Sequence, residues 1–211
     1  MKHVPHLVVG APWRDNEIGL SVLQWRHVTK VLRLKAGSEV SYTDGLGRIG
    51  TGVLGHQTIE RGEERTVERP NNLTIASAPP TNKDRQRFLV EKLAELSVAR
   101  LLWLETSRTT VRLASPTKVF SWVLSGVEQS RGAYLMETSS RLYRLTDLEG
   151  DVVVCHPGGD RQPGKADVIA IGPEGGFEDE EIPDSMRRWD LGPTLLRVET
   201  AALVAAARAT V

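Results

Sequence analysis

Three segments late in the chain share one design: an apolar run that stops in a turn of glycine and proline. They read VVVCHPGGD (Val152–Asp160), IAIGPEGGFEDEE (Ile169–Glu181) and WDLGPTLLRVETAA (Trp189–Ala202). Glycine lets a ligand come close to exposed amides and carbonyls. Ligands of open α/β sheets sit beyond the carboxyl ends of the strands, where such turns gather. A glycine turn can also do no more than close a strand-to-helix connection. One such turn is uninformative, but three point to a binding pocket. In the middle segment the acids Glu178 to Glu181 suit the first turn of a following helix, where negative charge is favoured.

Familiar nucleotide and metal signatures are missing. There is no GxxxxGK[ST] and no GxGxxG after the first strand, so a P-loop ATPase and a dinucleotide dehydrogenase both lose support. Five histidines and the single Cys155 are scattered without metal-ligand spacing, and no metal is expected. His156 beside Cys155 reads as a strand-end residue. No GxSxG elbow is present.

Positioning these turns takes a scaffold, and the chain changes pattern near residue 70. Residues 1–69 carry short alternating pieces, HLVVG, SEVSYTDG and GRIGTGVLG, which predict a small antiparallel barrel or sandwich. TDGLGR reads as a tight turn. Gln24 to Gly37 predicts a helix with His27, Val31 and Leu34 on one side and Arg26, Lys30 and Arg33 on another. TIERGEERTVERPNN is charged and poor in apolar residues, and is expected to be a connector. Residues 70–211 alternate strand-like runs (NLTIASA, LLWLE, DVVVC, DVIAIG, WDLG) with helical ones. Leu89, Leu93 and Leu96 mark one helix, capped by Thr81 or Asn82, and Val119, Trp122, Val123 and Val127 mark a second. An Ala-rich helix closes the chain. Such alternation implies an α/β fold with a parallel, doubly covered sheet.

Composition bounds the partners. With 40% hydrophobic and 26% charged residues the chain matches soluble globular proteins. No apolar run nears the roughly 20 residues of a membrane span, so no membrane partner is expected. No signal-peptide cleavage pattern follows Met1, and a lone cysteine fits a reducing, cytoplasmic setting. Net charge is zero, yet Lys83 to Arg131 holds nine Lys/Arg against five Asp/Glu, while Glu174 to Asp190 holds seven acids against two arginines. A basic middle and an acidic late segment cancel, and either can be no more than a solvated face.

IGPEGGFEDEEI together with LGPTLLRVETAALVA resembles the signature pair of the RsmE family. These are small-subunit ribosomal RNA methyltransferases that act on N3 of a uridine, within the SPOUT superfamily. EKLAELSVARLLWLETSRT and VEQS resemble the family's central helices, and HVTKVLRLKAGSEVSYTDGLG its N-terminal PUA-like barrel. The resemblance covers nearly the whole chain. It implies a SPOUT-type trefoil-knotted parallel-sheet domain, a small β-rich PUA-like RNA-binding domain, a homodimer, and S-adenosyl-L-methionine as cofactor. Knots are exceptions to ordinary chain topology. The chain departs from the family at Thr194, where Arg is common, and at EQSRG, where Arg131 stands one place early.

The resemblance also implies the pocket walls. One is the turn Ile171, Gly172, Pro173, Glu174, Gly175 and Gly176. A second is His156, Pro157 and Gly158. The third runs through Leu191, Gly192, Leu195, Leu196 and Arg197. Methyl transfer from a sulfonium needs in-line positioning more than a protein nucleophile. The N3 proton of the uridine must leave, so the site needs a base or a cation that stabilises the charge spreading onto the carbonyl oxygens. Arg197 is the candidate for the cation, with an ion pair to Glu199 or to a dimer partner as its plain alternative. Glu174 is the candidate base, or else it pins the cofactor or a turn amide. For ribosomal RNA, probing phosphate contacts first, Arg26, Lys30 and Arg33 form one basic stripe. Lys83, Arg85, Arg87 and Lys92 form another, and Gln129 and Arg131 join them through the EQSRG motif. Two alternatives use the same fold: a non-catalytic RNA-binding assembly factor, and a SPOUT ribose 2′-O-methyltransferase.

Overall fold

In the computed structural model the described residues are 4–13, 15–109, 111–162 and 164–210. The chain divides into two compact units, one formed by residues 1–69 with Val127–Leu135, the other by Pro70–Gly126 and Met136–Val211.

In the first unit β1 (His6–Val8), β2 (Glu17–Gly19), β3 (Glu39–Thr43), β4 (Arg48–Leu54) and β5 (Thr58–Thr66) form one sheet, in the order β1-β3-β4-β5-β2. β1 runs parallel to β3, and the other pairs are antiparallel. Leu7 of β1 and Ile18 of β2, the two end strands, enter the same core as Val40, Tyr42, Leu54 and Ile59. The sheet therefore curls around its own side chains. It is a half-barrel of the small β-rich kind expected: β1 and β2 do not pair with each other to close it, and the β1–β3 pair is parallel where all pairs were expected to be antiparallel.

Two sequence expectations fail here for visible reasons. TIERGEERT is the nine-residue strand β5, not a connector. Only Ile59 is fully buried in it, so the alternation that would betray a strand is hidden by outward charges. The helix expected over Gln24–Gly37 starts earlier and ends sooner. Ser21 caps α1 (Val22–Arg26) in a capping box with Gln24. The chain then widens into a π-helical turn over His27–Val31. That turn breaks the 3.6-residue period, so Val28 goes inside while His27 and Val31 stay exposed. Arg33, at φ 56°, lies beyond the helix.

In the second unit six strands form an all-parallel sheet in the order β11-β9-β10-β6-β7-β8. They are β6 (Thr74–Ser77), β7 (Arg100–Leu104), β8 (Glu137–Tyr143), β9 (Val152–Asp160), β10 (Val168–Ile171) and β11 (Arg187–Trp189). Every residue of the central strands β6 and β10 is buried, as a parallel sheet covered on both faces requires. Ala76, Leu104, Val154, Val168 and Ala170 face one core with Phe177 and Ile182. The alternate positions Ile75, Leu101, Trp103, Val153 and Ile169 are equally buried and point the other way.

The helices are α2 (Lys83–Glu95), α3 (Pro116–Ser130) and α4 (Val198–Ala209). Asn82 caps α2 by accepting the Arg85 amide at 2.9 Å, and Leu89 and Leu93 form its buried stripe. α2 packs on α4, which lies on β6 and β10. α3 approaches α2 at Gly126, where a Cβ would stand 2.4 Å from the Glu91 carbonyl oxygen. No helix among the described residues is long and apolar enough to cross a membrane.

From β6 the chain moves outward through β7 to β8, then returns to build β9 and β10 on the other side of β6. Strand order thus reverses between β6 and β10, where the Ala78 amide donates to the Ile171 carbonyl at 2.9 Å. A switch point of this kind opens a crevice beyond the carboxyl ends of the strands.

Candidate active site

The three glycine turns lie on adjacent strands. β11, β9 and β10 are parallel neighbours, so the segments that follow them share one edge of the sheet. In β9 the expected strand-then-turn is instead one strand with a bulge. β9 pairs with β11 at Val154↔Arg188 and next at Asp160↔Trp189, leaving residues 155–159 without a partner in β11, while Cys155 still pairs with Ile171 of β10. His156, Pro157 and Gly158 occupy that bulge, and His156 Nδ1–H donates to the Pro157 carbonyl at 2.7 Å. Burial pushes the Cys155 thiol up to about 12, which removes it as a nucleophile.

After β10, Ile171 is 2% exposed and Gly172 faces the ring of Phe177, where a Cβ would meet it at 2.9 Å. The Gly176 amide closes the Pro173–Gly176 turn onto the Pro173 carbonyl at 2.8 Å. The acids beyond do not start an α-helix as expected. They make a single 3-10 turn, Asp179–Glu181, with Glu178 and Glu181 forming a capping box. Their charge serves side-chain ties to the loop after β7. Glu181 accepts the Ser107 amide at 2.7 Å and the Ser107 hydroxyl at 3.1 Å. Arg108 pairs with Glu178 at 2.6 Å and donates to the Gly175 carbonyl. Burial acts to raise the Glu181 carboxyl, but the Glu178 and Ser107 donors and the Arg108 charge outweigh it and hold it below the ordinary value.

After β11, Asp190 accepts the Gly192 amide at 2.9 Å, and Arg208 donates to the Leu191 carbonyl at 3.3 Å while stacking on Trp189. Leu195 is 90% exposed and Leu196 is half-buried. Arg197 is exposed and occupies the N-cap position of α4.

One residue of α2 joins two of these segments. The Arg85 guanidinium makes a two-pronged pair with Glu199, Nε at 2.9 Å and Nη2 at 2.7 Å, and its Nη1 reaches Glu174. Glu199 is 7% exposed. Burial acts to raise its carboxyl, but the Arg85 bonds and charge, with Arg197 adding to them, hold it below the ordinary value. Glu199 is therefore the partner of Arg85, not of Arg197. Glu174, engaged by Arg85, would have to give up an ion pair to take a proton, which weighs against its use as a base. Arg85 itself is buried to 19% side-chain exposure, a poor position for a phosphate contact.

Of the other basic candidates, Lys83 is exposed, Arg87 pairs with Glu91 at 2.8 Å and Lys92 with Glu95 at 2.7 Å. Arg26, Lys30 and Arg33 are exposed in the first unit, together with Gln129 and Arg131. The Arg131 guanidinium donates to the Val4 carbonyl at 3.0 Å. Sequence reasoning did not single out Ser107 or Arg108, whose roles depend on which loop lands beside the acids.

A family model described as RNA methyltransferase domain matches residues 67–210. The chain belongs to this family. Its catalytic unit is thus an RNA methyltransferase domain, and the resemblance drawn from the two late motifs holds at the family level. Among solved structures, ribosomal RNA small subunit methyltransferase E from Neisseria gonorrhoeae, bound to S-adenosyl methionine, is 25% identical. It aligns over 98% of this chain and 96% of its own, with a TM-score of 0.83. A Legionella pneumophila protein assigned as a methyltransferase, also solved with that cofactor, is 22% identical over 98% and 97% of the two chains, with a TM-score of 0.84. A Porphyromonas gingivalis protein assigned as an rRNA methyltransferase is 22% identical over 97% and 96%, with a TM-score of 0.81. Among curated proteins no relative matches the chain.

Proposed function

We propose that this RNA methyltransferase transfers a methyl group from S-adenosyl-L-methionine to N3 of a uridine in small-subunit ribosomal RNA. The observation that carries the site is unobstructed backbone on each of the three glycine segments, which belong to neighbouring strands. Gly158, Gly176 and Gly192 stand one in each, all at positive φ, and a Cβ on any of them would meet nothing within 4 Å. Bare backbone facing open space in the β9 bulge and in the turns after β10 and β11 suits a flat purine and a ribose. Half-buried Leu191 and Leu196 and exposed Leu195 give the third turn the apolar surface that an adenine ring covers. The residues present therefore fit the cofactor.

When bound, S-adenosyl-L-methionine supplies an electrophilic methyl on a sulfonium, open to direct displacement. The chain's own work is to hold the geometry and to manage charge. The bulge in β9 and the turns after β10 and β11 fix the donor, and ties from Ser107 and Arg108 keep the β10 turn in place. Arg197, exposed at the start of α4, stabilises the negative charge that develops on the uracil carbonyl oxygens as the N3 proton leaves. The first unit contributes RNA affinity through Arg26, Lys30 and Arg33. Phe88 and Phe120 are large apolar side chains left in solvent, 45% and 51% exposed, and a homodimer would cover such surface. The knotted crossing and PUA-like character implied by the motif resemblance belong to the same proposal.

Nucleoside mass spectrometry of ribosomal RNA from cells with and without this gene tests the reading. Loss of 3-methyluridine from the small subunit, restored by the wild-type gene and not by Arg197→Ala, is the expected result. Unchanged 3-methyluridine, or loss of a 2′-O-methyl nucleoside in its place, would overturn the assigned acceptor.

A further inference from the structure

Arg85 ties together the turn after β10 and the first turn of α4, two segments that bracket the proposed pocket. It does so from a third element, the N-terminal turn of α2, which Asn82 caps and which Gln86 anchors. Gln86 is 1% exposed; its amide donates to the Pro80 carbonyl at 3.1 Å and accepts from the Ala114 amide at 3.1 Å. Arg85 therefore stands on a rigid base. Three charges meet there: Arg85 against Glu174 and Glu199. Glu199 feels the charge of both Arg85 and Arg197, but among the described residues the side-chain donor to its two oxygens is Arg85. Without Arg85, a buried carboxylate would be left two residues from an exposed guanidinium, and a buried charge takes the nearest counter-ion.

We propose that Arg85 is a positioning residue that keeps Glu199 from capturing Arg197 and moors the Glu174 turn to the same helix, leaving the Arg197 guanidinium free for the substrate. This rests on the assignment of the β10 turn to the cofactor and of Arg197 to the acceptor. Two separable consequences follow. Releasing Glu174 loosens the cofactor wall, and releasing Glu199 removes Arg197 from the reaction.

The test compares wild type, Arg85→Met, Arg85→Met/Glu199→Met and Glu174→Gln as full-length chains. Thermal unfolding, calorimetric titration with S-adenosyl-L-methionine, and kcat at saturating cofactor on small-subunit RNA are measured for each. In Arg85→Met the cofactor Kd is expected to rise about tenfold, the loss of one charge-assisted tie to the turn. Its kcat is expected to fall about 100-fold, since a misplaced catalytic group costs on that order. In the double variant the unpaired carboxylate is gone, so kcat returns to within about threefold of wild type while Kd stays raised about tenfold. A merely structural Arg85 would move kcat, Kd and melting temperature together. If Arg85→Met does not fold, Glu174→Gln and the double variant carry the test, both with the same raised Kd. A double variant with kcat as low as the single one, or Kd at the wild-type value in every variant, overturns the inference. Failure of the wild-type chain itself to bind the cofactor would instead strike the site assignment on which it rests.

Discussion

Replacing Gly159 with alanine should loosen the sheet at the β9 bulge. A Cβ there would lie 2.5 Å from the Arg188 carbonyl carbon, 2.6 Å from its oxygen and 2.7 Å from the Trp189 amide nitrogen. Ordinary contact begins at 3.4 Å, so the bulge and β11 must part by the difference, about 0.9 Å. All three neighbours are backbone atoms, and no side-chain rotation relieves the clash. Overpacking of this kind costs about 1–3 kcal/mol. Separation also strains the Asp190 amide bond to the Asp160 carbonyl, now 2.9 Å, worth about 1 kcal/mol more. For a chain of this size the melting temperature should then fall by roughly 5–15 °C. Gly158→Ala is the paired control. Its φ of 79° carries a strain of about 1–2 kcal/mol, but its methyl meets nothing within 4 Å and enters the proposed cofactor opening. That variant should lose less stability and more cofactor affinity, about tenfold or beyond for each 1.4 kcal/mol of lost contact. Calorimetric unfolding and cofactor titration on both variants decide the matter. Gly159→Ala melting like wild type, or the two variants exchanging their effects, would refute the reasoning.

Two further outcomes concern charge. Reversing Arg26, Lys30 and Arg33 to glutamate should weaken RNA binding and flatten its salt dependence, by roughly two units of log–log slope if all three contact phosphates; binding and slope both unchanged would discard this stripe. The Glu199 carboxyl is held below its ordinary value of 4.5 in the folded chain, so its pairing contributes stability that is fully present above that pH and is lost as pH falls through the folded value. Urea midpoints measured from about pH 6 down to about pH 3 should therefore drop, and drop less steeply in Arg85→Met/Glu199→Met; parallel curves would show that the pair adds nothing.

What the sequence made legible followed local chemistry. Leu89 and Leu93 announced α2, Val119, Val123 and Val127 announced α3, and the β-branched runs announced β9 and β10, because burial and period coincide in them. β8 escaped notice: ETSSRLY lies at the sheet edge and is partly exposed along its length, so no apolar pattern marks it. β5 hid behind its glutamates and arginines for a related reason. The π-helical turn at His27–Val31 shifted a correct helical stretch out of phase. In the site, the glycine turns were visible, since turn residues carry their own signature. The role of Arg85 was not. A lone arginine at the start of an amphipathic helix reads as surface charge until the fold sets Glu199, 114 positions away in sequence, against it.

A crystal structure of the full-length chain with S-adenosyl-L-methionine tests the central claim most directly. The account predicts the cofactor between the three turns, its purine against the backbone of Gly158, Gly176 and Gly192, with the Arg85–Glu199 pair intact behind it. Cofactor bound elsewhere on the chain, or that opening filled by the protein's own side chains, would contradict it.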